Sequence, residues 1–174
     1  MTILGIDPGS TRIGYGLVEE DGDLKFLKAG ILKIKTSQNK NQRLVDLEKS
    51  FLNLIKKEKP DLAVLEKIYF MKNLKTAVEV AQSRGVLTLL ITKHKIPLLE
   101  FTPLEIKQNI SGYGLADKKS VARAVMKILK IKKINGGDDA ADALAAAIVG
   151  SNFQRSLNLL KTNDYNNRAK GFRN

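Results

Sequence analysis

Apolar positions fall into short runs near the N-terminus and into spaced patterns further on. Ile3-Leu4-Gly5-Ile6 is uninterrupted and closes on Asp7, which predicts a buried strand over Thr2–Asp7. Arg12–Glu20 alternates loosely, and Asp21-Gly22-Asp23 is a hairpin signal into Leu24–Ile34, so three antiparallel strands open the chain. Leu44, Leu47, Phe51, Leu54 and Ile55 recur at helical spacing between Gln42 and Ile55, and Lys59-Pro60 stops that helix. Asp61–Glu66 is again a continuous apolar run, as in a strand covered on both faces.

Leu74, Ala77, Val78 and Ala81 begin a helix reaching about Lys93, Pro97–Phe101 is a short strand, and Pro103 suits the first turn of a helix running to about Ile110. After the break Ser111-Gly112-Tyr113-Gly114, helices are predicted over roughly Lys118–Lys130 and Asp139–Phe153, the latter rich in alanine. The reading is an α/β domain over residues 1–156, a mixed sheet with three antiparallel strands and then parallel ones, flanked by helices. Residues 157–174 are polar, carry Arg168, Lys170 and Arg173, and read as a flexible basic tail.

Charge changes this picture. Among 174 residues, 30 Lys and Arg face 18 Asp and Glu, a formal +12 that points to a polyanionic partner, most economically nucleic acid. With hydrophobic residues at 43%, the chain has enough apolar surface for one folded domain. No apolar run approaches the roughly 18 residues that span a bilayer, and no basic segment followed by an apolar stretch opens the chain, so a cytoplasmic protein with no membrane partner is expected. The absence of cysteine excludes disulfides, zinc thiolates and thiol catalysis. One histidine, His94, lies in a lysine-rich helix end and reads as surface; no Ser/His/Asp relay and no Gly-x-x-x-x-Gly-Lys phosphate loop is present.

Four acids stand where the elements should bring them together. Asp7 and Glu66 each end a buried strand, and Asp139 and Asp142 lie three apart on one face of the last predicted helix. Two unit charges about 4 Å apart repel by roughly 4 kcal/mol at an effective dielectric near 20. Converging carboxylates therefore raise one another's pKa or recruit cations, and hard oxygen ligands favour Mg²⁺. Asp138 competes with Asp139 but, following Gly136-Gly137, is assigned to the helix N-cap. Each feature has a plainer reading: Asp7 in a turn, Glu66 in a surface pair with Lys67, Tyr69 and Phe70 as packing, and the lysines as solvated surface. Lys107 and Lys118 flank the glycine break, so their helices could converge on one rim, while Arg84 and Lys119 are further cationic candidates. Aromatics beside such a site can wedge into or stack on bases.

The stretches ILGIDPGSTRIGYG (3–16), VLEKIYFMKN (64–73), AQSRG (81–85), IKQNISGYGLADKKSV (106–121) and DAADALAAAI (139–148) resemble, in order and spacing, the RuvC-type Holliday-junction resolvases. These are crossover-junction endodeoxyribonucleases with a ribonuclease H-like fold. The resemblance implies a homodimer that nicks a four-way DNA junction at two symmetric positions during recombination and repair, alongside a branch-migration helicase complex. It implies Asp7, Glu66, Asp139 and Asp142 as ligands of two Mg²⁺, with Mn²⁺ as the alternative ion, and Lys107 and Lys118 in catalysis and DNA contact. Tyr69 stands where the family inserts an aromatic at the junction centre; Phe70, Lys72, Asn73 and Arg84 complete the expected DNA surface, to which Lys119, without an obvious family counterpart, is added on its charge alone. Some members carry His at the position of Asp139.

Three rivals have distinguishable requirements. An actin-like ATPase shares the strand–Asp–Gly opening but needs a second phosphate loop and a closing domain, and neither is present in 174 residues. A ribonuclease H-like nuclease acting on ribosomal RNA shares the first motif but not the Lys107–Lys118 region. A catalytically silent DNA-binding module would use the acids structurally only.

Overall fold

In the computed structural model, residues 1–34, 40–67 and 74–171 are described, with Lys40, Leu74, Lys75 and residues 159–171 as backbone alone. The elements are β1 (Thr2–Asp7), β2 (Arg12–Asp21), β3 (Asp23–Lys33), α1 (Lys40–Glu58), β4 (Leu62–Glu66), α2 (Leu74–Lys93), β5 (Leu98–Phe101), α3 (Pro103–Ser111), α4 (Lys118–Ile128) and α5 (Gly137–Gly171). The strands form one sheet in the order β3-β2-β1-β4-β5. β1 pairs antiparallel with β2 and parallel with β4, so the predicted mixed sheet, antiparallel first and parallel afterwards, is what forms.

Side chains on a strand alternate between faces, and here the alternation sorts the core in two. Ile3, Val18, Leu62 and Val64 pack with α5 residues Leu144–Val149 and with Ile106, Ile110, Val121 and Val125 of α3 and α4. Leu4, Ile6, Ile13, Leu17, Ala63 and Leu65 point the other way, onto Leu47, Phe51 and Leu54 of α1 and Leu87, Leu90 and Ile91 of α2. Continued one step, the same parity sends Asp7 and Glu66 to the α5 face at the carboxyl ends of β1 and β4.

On that face α5 lies unusually close to the sheet. A methyl group added at Gly5 would come within 1.9 Å of the Ala143 carbonyl oxygen, and one at Gly14 within 2.0 Å of the Asp139 carbonyl oxygen. Glycine on the strands, with alanine at 140, 141, 143 and 145–147 on the helix, is what lets the backbones approach. Further along α5, Ser151 and Arg155 bond the two carboxylate oxygens of Glu20 near the β2–β3 hairpin, at 2.8 and 2.6 Å, and Arg155 also reaches the Gly22 carbonyl at 2.7 Å.

Two boundaries depart from expectation. α5 starts at Gly137, so Asp138 is in its first turn and is not the N-cap residue; Gly136 and Gly137, with φ of 108° and 69°, complete the turn before it. At its other end α5 passes the expected stop near Phe153 and continues to Gly171, because no proline or glycine interrupts residues 151–170. The boundary expected at residue 156 thus falls inside a helix.

Candidate active site

Asp7 and Glu66 end adjacent parallel strands: Ile6 is level with Leu65, so the two acids follow side by side. Asp7 is also paired across the antiparallel ladder with Gly14, the residue on which the Asp139 backbone rests. One glycine therefore connects the strand carrying the first acid with the helix carrying the last two. Asp138 and Asp139 occupy the first turn of α5 and Asp142 the second, where the helix dipole favours negative charge.

Asp7, Glu66 and Asp142 line a recess of about 240 Å³ together with Pro103, Ile106, Lys107, Lys118 and Val121. Both expected lysines stand in its wall. Their placement follows from helix starts. Thr102 caps α3 with a reciprocal Glu105 bond, and Pro103 occupies its first turn, as expected. Asp117 caps α4, its Oδ1 accepting from the Ser120 amide at 2.6 Å, so Lys118 is the first helical residue and faces the acids. Lys118 Nζ lies 3.1 Å from Asp142 Oδ2.

The electrostatics are those of a crowded, partly dehydrated acid site. Burial first, then repulsion from Glu66, Asp142 and Asp139, pushes the Asp7 carboxyl up to about 8, and a hydrogen bond to Glu66 adds to the rise. Glu66 is also raised, by burial and by Asp142, while its bond with Asp7, Lys118 and Lys107 pull it down. Burial and mutual repulsion thus favour either a proton or a cation between Asp7 and Glu66. Burial lowers Lys118, but Asp142, Asp7 and Asp138 outweigh it and its pKa is raised.

Among the described residues, no three acidic side chains converge closely enough to chelate an ion as they stand. Each carboxylate is already engaged: Asp7 with Glu66, Asp142 with Lys118, and Asp139 with Arg12, whose Nε is 3.0 Å from Asp139 Oδ2. The donor set nonetheless fits a hard divalent cation, being all carboxylate oxygen, partly buried and short of compensating charge.

The other candidates divide. Arg84, on α2, forms an ion pair with Glu100 of β5 and is not part of the recess wall. Lys119 is exposed beside Lys118 and also outside that wall. Tyr69, Phe70, Lys72 and Asn73 lie outside the described residues. His94 is exposed, its Nδ1 2.9 Å from the Leu90 carbonyl oxygen, as a surface residue should be. Arg12 was missed by sequence reasoning, yet parity could have found it: Arg12, Gly14, Gly16 and Val18 share one face of β2, the face toward the acids.

This strand order, with acids at the carboxyl ends of β1 and β4, is that of the ribonuclease H-like class. The family model for crossover junction endodeoxyribonuclease RuvC matches residues 3–150, and the chain belongs to that family. Crossover junction endodeoxyribonuclease RuvC from Petrotoga mobilis is 43% identical over 90% of this chain and 97% of its own length. The protein of that name from a strain of Prochlorococcus marinus is 45% identical over 86% of this chain and 97% of its own. Thermus thermophilus RuvC superposes with a TM-score of 0.81 at 26% identity, covering 90% of this chain and 96% of that one. Its complex with a Holliday junction substrate gives 0.82 at the same identity. The yeast mitochondrial Holliday junction resolvase Ydc2, TM-score 0.60 at 18% identity, shares the fold. The chain is therefore a metal-dependent endonuclease of the crossover-junction class.

Proposed function

We propose that the chain resolves four-way DNA junctions by hydrolysing one phosphodiester in each of two symmetric strands, with Asp7, Glu66, Asp139 and Asp142 as the acids of the site and two Mg²⁺ ions, or Mn²⁺ in their place, as cofactors. The observation that carries this reading is the meeting of Asp7, Glu66 and Asp142, from three separate elements, in one recess walled by Lys107 and Lys118. Bound divalent ions would activate the attacking water and offset charge on the phosphate and the leaving 3′ oxygen. Asp7 and Glu66 hold the floor of the site on rigid strand ends. Asp142 completes it from α5, and the ammonium of Lys118 both neutralises Asp142 and faces incoming phosphate. Lys107, half-buried in the wall of the recess, would restrain the DNA strand by its charge.

Two symmetric cuts need two copies of the site, and a homodimer supplies them. In support, α2 presents an outward stripe of Val78, Ala81, Gln82, Gly85 and Leu89, with Val78 59% and Leu89 53% exposed. The exposed Lys119, with Arg84, Tyr69, Phe70, Lys72 and Asn73, extends the DNA surface in this reading. A branch-migration helicase complex as partner rests on the family resemblance. Location is carried only by the described helices, none of which is long and apolar enough to cross a membrane.

The test is a labelled synthetic junction incubated with Mg²⁺ and, separately, with EDTA. Paired, religatable nicks that vanish with EDTA are expected, and Asp7→Asn should bind the junction without cutting it. Equal cutting by Asp7→Asn would remove the acid cluster from the mechanism, and preferred cutting of structured RNA would redirect the substrate.

A further inference from the structure

Arg12 stands at the edge of the acid site. Its Nε lies 3.0 Å from Asp139 Oδ2, although 127 positions separate the two residues. The backbone beneath it is fixed: Arg12 is in register with Lys33 on β3, and the Thr11 carbonyl accepts the Ile34 amide at 2.9 Å. A methyl added at Gly9 would meet the Arg12 carbonyl oxygen at 2.0 Å, so the loop from Asp7 to Arg12 is folded tightly against the strand start. The side chain itself is 55% exposed and that of Asp139 is 29% exposed, so this pair faces solvent at the rim of the site without being locked in the core.

The contact opposes metal uptake. The guanidinium charge 3.0 Å from Asp139 Oδ2 repels an incoming cation and occupies one of the two oxygens that could hold it, and it cannot leave by losing its proton. A DNA phosphate is a competing acceptor of matching geometry. We propose that Arg12 is a positioning residue that holds Asp139 away from metal until a phosphate of the bound junction takes over the guanidinium, so that full metal occupancy follows DNA binding. This deepens the assignment of Asp139 as a site acid and rests on it. Arg12 needs no contact with the reacting atoms, since it acts through Asp139 and through register on the strand.

Mn²⁺ binding by calorimetry, on the full chain without DNA and without turnover, reads this directly. Arg12→Ala should tighten Mn²⁺ binding by about tenfold, the size expected for removing one close charge partner from a partly exposed acid. In an Asp139→Asn background the same substitution should have no such effect, and Arg12→Lys should fall between. Tightening that persists in the Asp139→Asn background would mean a general charge effect and would overturn the proposal, as would no change on Arg12→Ala. Asp7→Asn serves as the reference: if it abolishes Mn²⁺ binding while Arg12→Ala changes nothing, the acid site stands and Arg12 alone fails. If neither changes Mn²⁺ binding, both readings fail. For the second half, junction affinity in EDTA is measured against salt. Arg12→Ala should reduce the slope of log affinity on log salt by about 0.9, one phosphate contact. An unchanged slope overturns the transfer to phosphate.

Discussion

The two faces of the sheet are packed by opposite means. Toward α1 and α2, large side chains fill the space: Phe51, Leu47, Leu87 and Ile91 are all essentially inaccessible. Toward α5, glycines and alanines remove volume until backbone meets backbone, as at Gly5 and Gly14. The first face gains stability by apolar burial, and small errors of fit there are absorbed by side-chain rotamers. The second holds two acids on a helix at a set height above two acids on strand ends. Stiffness there serves the site, at the expense of partly buried carboxylates that oppose each other.

That contrast can be broken from either side. The largest effect is expected on the side-chain face: Phe51→Ala should cost about 3–5 kcal/mol in denaturant unfolding, while the folded fraction keeps its cleavage rate per molecule. A matching loss of specific activity would show that α1 also sets the site. On the backbone face, Gly14→Ala forces Asp139 and the start of α5 upward. Displacement of about 1 Å can cost 10²-fold in rate, roughly 2.7 kcal/mol, and single-turnover cleavage should fall by that much while junction binding persists. Unchanged turnover would mean that the helix height is not critical.

A third effect comes from the buried acid. Asp7 is raised from 3.8 to about 8 in the fold, so the native state holds a proton that the unfolded chain releases near pH 4. The resulting stabilisation is fully present below pH 4 and is lost as pH rises toward 8. Metal-free protein should therefore melt lower at pH 8 than at pH 6. Asp7→Asn should flatten that dependence and stabilise the metal-free chain at pH 8 by at least about 1.4 kcal/mol, the value of one pKa unit. A pH-melting curve identical to that of the wild type would contradict the burial-driven shift. The smallest effect is at a helix start: Asp117→Ala removes the cap of α4 and should cost about 1 kcal/mol, with a larger loss in cleavage than in junction affinity because Lys118 loses its orientation. Equal losses in both would assign Lys118 to binding alone.

Much of this is legible in the residues themselves. Unbroken apolar runs locate β1 and β4, and an acid at each end implies that Asp7 and Glu66 meet once the strands pair in parallel. The three-residue spacing puts Asp139 and Asp142 on one helical face. Asp138 departs from its expected cap position because a cap depends on where two glycines of positive φ end the turn, which residue identity alone leaves one position uncertain. The extent of α5 exceeds expectation because polarity without proline or glycine does not stop a helix. The Arg12–Asp139 pair is hidden for a different reason. It joins the second strand to the last helix, and only the close seating of that helix over Gly14 brings them within reach. The capping signals at Thr102 and Asp117 are present as Thr-x-x-Glu and Asp-x-x-Ser, and they aim the two lysines inward.

The contacts of Ser151 and Arg155 with Glu20 give α5 a second fixed point. Between Asp139 and Ser151 the helix spans about 18 Å at 1.5 Å per residue, seated on glycine at one end and tethered by charge at the other. The glycine seats set the height of this beam and the Glu20 fastening limits its roll, so loosening that distant anchor should reach the carboxylates through the helix, and more weakly than a change at Gly14.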